Sequence, residues 1–261
     1  MSCVQMGAED EISEDAILGG RLRIRQPLRG HRVGHDAILL AAAARARAGQ
    51  WAADLGAGVG AAGLALAVRT AGLMVTLIEI DPGLCALAAD NARLNGLDDR
   101  ANVVGADVER VEALQAAGVM PASFDCVLMN PPFFDASRHN VSPDSRRRSA
   151  HVGSPGLLGR WVGTSAWLTK PAGVLTLIWR ADALNDVFAA LCPGFGDIAV
   201  LPVVPRAGAP AIRVLVSAVR GGGASQATYR PLVLNDNDGR PTPAAEAVLR
   251  SAAPLEFTER I

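Results

Sequence analysis

The stretch Trp51-Ala-Ala-Asp-Leu-Gly-Ala-Gly-Val-Gly-Ala-Ala-Gly63 decides the fold of this 261-residue chain. It opens with a short apolar run, passes through closely spaced glycines, and continues as an alanine- and leucine-rich segment that favours helix. Glycine lets the backbone approach a ligand closely, and N–H groups at the start of a helix are free to bind polar atoms. The stretch therefore predicts a strand, a ligand-binding glycine loop and a helix.

Apolar runs and amphipathic stretches alternate beyond this loop, which predicts βαβ units around a parallel sheet. Five runs are typical of buried strands: Ala52–Leu55, Val75–Ile80, Ala101–Val104, Phe124–Met129 and Val174–Trp179. Two further runs, Ile198–Val204 and Ile212–Val219, flank a turn rich in proline and glycine and predict an antiparallel hairpin. We expect an α/β fold whose sheet is mostly parallel and has seven strands, with this hairpin at one edge.

Composition divides the chain into four segments. We expect a disordered tail over residues 1–15, an N-terminal preface over 16–50, a ligand-binding core over 51–220 and a strand-turn-helix appendage over 221–261. The preface should contain a helix from about Asp36, acting as N-cap, to Ala48. The chain has neither the basic start of a signal peptide nor an apolar run that could span a bilayer, so we expect a cytoplasmic protein without a membrane partner.

Polar residues end four successive strands of the predicted core: Asp54, Glu79, Asp107 and Asn130. Their spacings are 25, 28 and 23 residues, each close to one strand-helix-strand unit of about 30 residues. Ligands bind open α/β sheets outside the carboxyl ends of the strands. We therefore expect the four side chains at one edge of the sheet, around one ligand.

The glycine loop alone leaves the ligand open. Gly58, Gly60 and Gly63 fit the G-x-G-x-x-G pattern of dinucleotide sites, and Glu79 follows about twenty residues later. A carboxylate at Glu79 can accept both ribose hydroxyl protons of a bound nucleoside, whether that nucleoside belongs to NAD or to S-adenosylmethionine. A negative charge at Asp54, however, would repel a pyrophosphate.

The third strand end indicates an adenine. Asp107 can accept a hydrogen bond from an exocyclic amine, and Val108 offers an N–H group and apolar contact. Together with Asp54 this favours S-adenosylmethionine over NAD. An NAD-dependent oxidoreductase and a catalytically idle Rossmann binding module stay as alternatives.

The motif Asn130-Pro131-Pro132-Phe133 carries the chemistry. An aromatic amine or amide nitrogen is a poor nucleophile because its lone pair is delocalised, and two acceptors on its N–H bonds can turn that lone pair toward a methyl group. The Asn130 side-chain oxygen and the Pro131 carbonyl can be those acceptors, since the two prolines fix the backbone. Phe133 offers a surface on which a planar base can stack. The motif predicts methyl transfer to such a nitrogen by positioning, without a metal.

Together, the glycine loop and this motif resemble the N6-adenine and N5-glutamine methyltransferases of the "small methyltransferase" type. Gln26-Pro-Leu-Arg-Gly30 and Asp36-Ala-Ile-Leu-Leu-Ala41 are similar to a signature of bacterial tRNA(Val) adenine-N6 methyltransferases. The resemblance implies a Rossmann-like class I fold, S-adenosylmethionine as cofactor, a preface folded over that cofactor, and adenine 37 of a valine tRNA as target. Phe133 stands where the family more commonly has Tyr, and Phe also occurs in rRNA guanine-N2 enzymes.

The strand ends, the motif and the resemblance together predict a set of site residues; the arginine-rich stretch from Ser137 to Ser149 departs from the family, so its arginines are predicted only from their place after the motif. The predicted cofactor-binding residues are Gln26, Gly30, Asp36, Asp54, Gly56, Gly58, Gly60, Glu79, Ile80, Asp107, Val108 and Asn130. The predicted RNA-binding residues are Phe133, Phe134, Arg146, Arg147 and Arg148, the arginines because a basic loop beside the target can hold phosphates. The chemistry needs no acid-base group, so His139 and His151 are left without a role. An rRNA guanine and a protein glutamine remain alternative targets.

Overall fold

The computed structural model describes residues 11–29, 32–132, 156–192 and 194–261. The strands in these ranges are β1 Ile12–Ile17, β2 Leu22–Pro27, β3 Trp51–Leu55, β4 Met74–Glu79, β5 Ala101–Gly105, β6 Phe124–Met129, β7 Thr169–Arg180, β8 Phe195–Val204, β9 Arg213–Arg220, β10 Gln226–Thr228 and β11 Leu232–Val233. The α-helices there are α1 His35–Ala43, α2 Ala61–Arg69, α3 Pro82–Leu94, α4 Val111–Ala116, α5 Leu157–Leu168, α6 Leu184–Leu191 and α7 Pro243–Leu249. None of these helices has the length and apolar character needed to cross a bilayer.

The main sheet has the order β10-β8-β9-β7-β6-β3-β4-β5, with β11 also paired to β8. Strand β9 runs antiparallel to both of its neighbours, β7 and β8, whereas the other pairings are parallel. The expected α/β fold with a mostly parallel sheet and an antiparallel hairpin is confirmed. Because the C-terminal segment adds β10 and β11 beyond the hairpin, this sheet has nine strands rather than seven.

Helices cover both faces of the sheet and enclose two apolar cores. The core with α1, α2 and α3 is built from small and branched side chains, among them Leu40 and Leu64, which are fully buried. The core with α4, α5 and α6 contains the large rings of Trp161 and Trp179. Parallel strands buried on both faces read as continuous apolar runs, which is why the sequence located them well.

The N-terminal hairpin corrects the expected disordered tail. Ile12 to Ile17 form β1, which pairs antiparallel with β2 in a separate two-stranded sheet. Glu14 accepts a hydrogen bond from Arg25 Nε at 3.0 Å and also pairs with Arg23. Cross-strand charge pairs stabilise such a ladder. Because charge rather than apolar alternation joins the two strands, the acidic segment looked like a tail in the sequence.

Helix α1 is shorter than expected and begins differently. Gly34 is the N-cap, no side chain caps the helix, and Asp36 lies within the first turn. The helix ends at Ala43 instead of Ala48, since Ala44 takes an extended conformation. The C-terminal tail approaches there, with Leu255 N donating to Ala42 O at 2.8 Å. The sequence pattern could not reveal this long-range contact.

Candidate active site

Asp54, Glu79, Asp107 and Asn130 are brought to one edge of the sheet, as their spacing predicted. The strands they end or follow lie side by side in the order β6-β3-β4-β5 and are all parallel. The loops after these strands therefore leave from the same side. This edge is the candidate active site.

The glycine loop after β3 needs glycine for two separate reasons. Gly56, Gly58 and Gly60 have positive φ values of 64°, 56° and 87°, which side-chain-bearing residues rarely adopt. A Cβ at Gly56 would also lie 2.4 Å from Cη2 of Trp161, whereas a Cβ at Gly58 would meet open space. The ring of Trp161 thus packs against the loop at Gly56, whereas the loop is open at Gly58, where a ligand can approach the backbone.

Asp54 supports the loop from inside the protein. It is 3% exposed, and its Oδ2 accepts a hydrogen bond from Gly63 N of α2 at 2.7 Å. Burial, with a smaller contribution from the nearby charge of Glu79, raises the pKa of Asp54 to about 7. The carboxylate thus ties β3 to α2 across the loop, and its predicted role in cofactor binding stays a prediction.

Glu79 is held by three backbone N–H groups. Its Oε2 accepts from Gly58 at 2.8 Å, and its Oε1 accepts from Ile80 at 2.8 Å and Asp81 at 2.9 Å. A carboxylate has about four acceptor positions, so one remains free on Oε2. This free position fits one ribose hydroxyl, and the predicted contact to both hydroxyls stays a prediction.

Two residues beside these carboxylates fit an adenine ring. Ile80 is 64% exposed, an unusual state for a large apolar side chain next to a ligand loop. Asp107 uses Oδ1 to accept from Glu109 N at 2.9 Å, and within the ranges described Oδ2 has no partner. Val108 is buried and its carbonyl accepts from Thr164. An exposed apolar side chain and a carboxylate oxygen without a partner among the described residues follow the neighbouring strands β4 and β5, and these groups suit a planar base with an amine, such as the adenine of S-adenosylmethionine.

Asn130 carries an unusual buried atom. Its side-chain oxygen is buried and has no hydrogen-bond partner among the described residues. Buried polar atoms of native proteins nearly always have partners, so an unpaired acceptor at a sheet edge indicates a place for a ligand. Pro131 is buried and Pro132 is exposed. Phe133, the last residue of the motif, lies outside the described residues.

The preface residues are engaged in contacts of their own. Gln26 is buried, donates from Nε2 to Asp15 at 2.7 Å and accepts at Oε1 from Val33 N at 2.8 Å. Asp36 pairs with Arg213 Nε at 2.9 Å. Both side chains therefore position the preface, and a direct cofactor contact from either stays a prediction. Five other predicted site residues lie outside the described ranges: Gly30, Phe134, Arg146, Arg147 and Arg148.

Sequence reasoning missed Asn91, on α3. It is fully buried and bonds to both the preface and the glycine loop, through Arg25 and through the carbonyl of Val59. A signal was present, because Asn91 and Asn95 are four residues apart and so share a helix face. Trp161 lies in the core, and its contact with Gly56 could not be read from the sequence.

Comparison with known proteins identifies the class to which this fold belongs. Residues 32–144 match the family model of the methyltransferase small domain. A crystal structure from Agrobacterium tumefaciens, described as a "predicted O-methyltransferase", superposes with a TM-score of 0.72 at 30% identity, covering 84% of this chain and 98% of that one. An S-adenosylmethionine-dependent O-methyltransferase from Thermotoga maritima has a TM-score of 0.52 at 16% identity, covering 76% and 69% of the two chains, and supports the fold alone. The fold and the strand-end residues thus define the class, a Rossmann-like class I methyltransferase.

Two curated relatives, both named tRNA1(Val) (adenine(37)-N6)-methyltransferase, define the family. The relative from Shewanella amazonensis is 30% identical over 222 residues, which are 85% of this chain and 91% of the relative. The relative from Porphyromonas gingivalis W83 is 34% identical over 160 residues, 60% of this chain and 61% of the relative, so that match spans less than two thirds of its length. The chain belongs to the tRNA1(Val) (adenine(37)-N6)-methyltransferase family. This membership decides against an NAD-dependent oxidoreductase.

Proposed function

We propose that the protein transfers the methyl group of S-adenosylmethionine to the exocyclic nitrogen of an adenine in tRNA. Adenine 37 of a valine tRNA is the proposed position, because the curated relatives carry that substrate in their names. An enzyme with this substrate would work in the cytoplasm. The observation that carries the proposal is the buried, unpaired side-chain oxygen of Asn130 at the end of β6.

The proposed chemistry follows from what that oxygen can accept. Bound S-adenosylmethionine would supply an electrophilic methyl group. An adenine amine has two N–H bonds and a lone pair delocalised into the ring, and an acceptor on one N–H helps to turn the lone pair out of the ring plane. Asn130 Oδ1 would be one acceptor and the carbonyl of Pro131 the other. The chain would thus act by orienting the nucleophile, which is a positional form of catalysis.

The proton leaves after the transfer without help from a side chain. The methylated nitrogen carries a positive charge and is strongly acidic, so it can lose a proton to water. A dedicated base is therefore unnecessary.

The RNA-binding residues are proposed from the sequence. Phe133 and Phe134 would stack on the target base, and Arg146, Arg147 and Arg148 would hold phosphates beside it. A base inside the tRNA loop must turn outward to reach Asn130, which is cheaper in a loop than in a duplex.

A hydroxyl target is the second candidate, because the structural relative from Agrobacterium tumefaciens is described as an O-methyltransferase. A hydroxyl has one hydrogen atom and two lone pairs that are not delocalised into a ring to the same degree. It would gain little from a pair of acceptors and would need a base to remove its proton. The unpaired acceptor at Asn130 favours the amine.

The experiment uses the full-length protein, an unmodified valine tRNA transcript and S-adenosylmethionine with a deuterated methyl group. We expect the label in N6-methyladenosine after nucleoside digestion and mass spectrometry. A matched transcript with adenine 37 replaced by guanine should stay unlabelled. Label in a methylguanosine, on a ribose oxygen or in neither transcript would contradict the proposed substrate.

A further inference from the structure

The open part of the glycine loop is fixed from outside the loop on two sides. Gly58, where a Cβ would meet open space, donates its N–H to Glu79, the last residue of β4, at 2.8 Å. The next residue, Val59, is buried, and its carbonyl accepts a hydrogen bond of 2.9 Å from Nδ2 of Asn91 on α3. One acceptor and one donor therefore set the orientation of the backbone at the position that a ligand can approach.

The side chain of Asn91 is itself held in place by the preface. It is fully buried, its oxygen accepts from Arg25 N, and its Nδ2 donates to Arg25 O as well as to Val59 O. A side-chain amide has two N–H donors and one oxygen, so all three groups have a partner. Two of the three bonds go to β2. If β2 left, Asn91 would keep a single bond and its amide could turn toward water, so the order of the loop depends on the docked preface.

We propose that Asn91 is a positioning residue for the cofactor, which through its bond to Val59 makes the affinity for S-adenosylmethionine depend on the docked preface. The inference rests on the proposed use of that cofactor and assigns Asn91 no contact with it. A loop that is ordered before the ligand arrives binds more tightly, because the cost of ordering is not subtracted from the binding free energy. Such coupling between two sites is reciprocal, so a bound cofactor should also hold the preface more firmly.

Asn95, on the same face of α3, supplies a matched control. It bonds to the backbone N and O of Arg23 as Asn91 bonds to Arg25, and its remaining bond goes to the carbonyl of Asn91 on its own helix. Asn91→Ala and Asn95→Ala therefore both weaken the attachment of β2, whereas only Asn91→Ala removes the bond to Val59. Binding of S-adenosylhomocysteine is measured by calorimetry, well below the unfolding temperature that circular dichroism gives for each protein.

Asn91→Ala should bind S-adenosylhomocysteine about tenfold more weakly than the parent, which corresponds to the loss of one hydrogen bond. Asn95→Ala should bind it nearly as the parent does. An asparagine that only supports the fold would leave both affinities parent-like, because both proteins are folded at the temperature of the measurement. Parent-like affinity of Asn91→Ala, or equal weakening in the two variants, would overturn the inference.

A second measurement needs no substitution and does not depend on whether Asn91→Ala folds. Amide hydrogen exchange of the parent is followed by NMR with and without saturating S-adenosylhomocysteine. By reciprocal coupling, the ligand should slow exchange of the Arg25 amide about tenfold and that of the Arg23 amide, which Asn95 holds, much less. Equal slowing at the two amides would refute the inference and leave the proposed function intact. Failure of the parent to bind S-adenosylhomocysteine would instead overturn the proposed function, so the two failures are distinguishable.

Discussion

Asn91 bonds to the backbone of Arg25 as a neighbouring strand would. Its Oδ1 accepts from Arg25 N at 2.7 Å and its Nδ2 donates to Arg25 O at 2.9 Å. The same Nδ2 donates to Val59 O at 2.9 Å, inside the glycine loop. Asn95, one turn later, makes the corresponding pair with Arg23. The outer edge of β2 is therefore covered by a helix, and one amide connects the preface to the glycine loop.

Asn91→Ala should detach the preface and loosen the loop. The substitution removes the partner of one buried group, Val59 O, and of two partly buried groups, Arg25 N and O. A buried unpaired group costs about 1–3 kcal/mol and a partly accessible one less, so we expect a loss of about 2–4 kcal/mol in the free energy of unfolding. Asn95→Ala is the matched control, because it removes the bonds to Arg23 but not the one to Val59. Urea unfolding and hydrogen exchange at the amide of Arg25 measure the effect. Equal losses in both variants, with unchanged exchange at Arg25, would contradict this role.

Asp54 should make stability depend on pH. Its pKa is raised to about 7 in the folded protein, chiefly by burial, against about 3.9 in an unfolded chain. Between these values the folded state holds a proton that the unfolded state has lost. The contribution of Asp54 to stability is therefore fully present below about pH 3.9 and is lost as pH rises to the folded pKa of about 7. The contribution lost is on the order of 4 kcal/mol at most, from about 1.4 kcal/mol per pKa unit.

Asp54→Asn isolates this effect, because the amide oxygen can still accept from Gly63 N and the side chain no longer ionises. The free energy of unfolding of the variant minus that of the parent should be clearly larger at pH 8 than at pH 5. Urea unfolding at both pH values, with parent and variant side by side, gives the double difference. If the variant and the parent differ in free energy of unfolding by the same amount at both pH values, folding does not raise the pKa of Asp54.

Asp107 should select the amine of the cofactor's adenine. Asp107→Asn can keep its bond from Glu109 N through the amide oxygen, and it then presents an NH₂ group where Oδ2 was. The parent should bind S-adenosylhomocysteine about tenfold to a hundredfold more tightly than its 6-oxo analogue, S-inosylhomocysteine. The variant should narrow or reverse that preference. The same preference in both proteins, by calorimetry, would remove Asp107 from the adenine site.

The sequence predicted the sheet and the common edge of the strand-end residues, because βαβ spacing and carboxyl-end geometry are local and regular. It did not predict how the carboxylates are used. Asp54 and Glu79 both accept backbone N–H groups. Two of the donors, Gly63 for Asp54 and Gly58 for Glu79, take their orientation from the folded loop.

Other features depend on contacts that are distant in sequence. Strand β1 is joined to β2 by ion pairs of Glu14 with Arg23 and Arg25. Because these contacts are charged, β1 lacks the apolar alternation by which a strand is predicted. Asn91 acts 66 residues away from Arg25. The identity of each residue alone gave no reason to connect these positions. The spacing of Asn91 and Asn95, four residues apart, could have indicated a polar helix face with a specific partner.

Asn130 should matter for turnover and for little else. Its Oδ1 has no partner within the described ranges, so Asn130→Ala should leave the free energy of unfolding and the affinity for S-adenosylhomocysteine close to those of the parent. The contact to the target amine strengthens as the nitrogen pyramidalises and so acts mainly in the transition state. Loss of one preorganised polar contact of this kind costs a factor of roughly a hundred to a thousand in rate.

Asn130→Asp should be milder, because it retains an acceptor oxygen and adds a negative charge beside the developing positive one. Single-turnover methylation of unmodified valine tRNA, with parent and both variants, measures the rates. A structural Asn130 would lower stability and affinity together, and a hydroxyl-directed enzyme would show little dependence on this acceptor. Parent-like transfer by Asn130→Ala would therefore refute the proposed mechanism at its central residue.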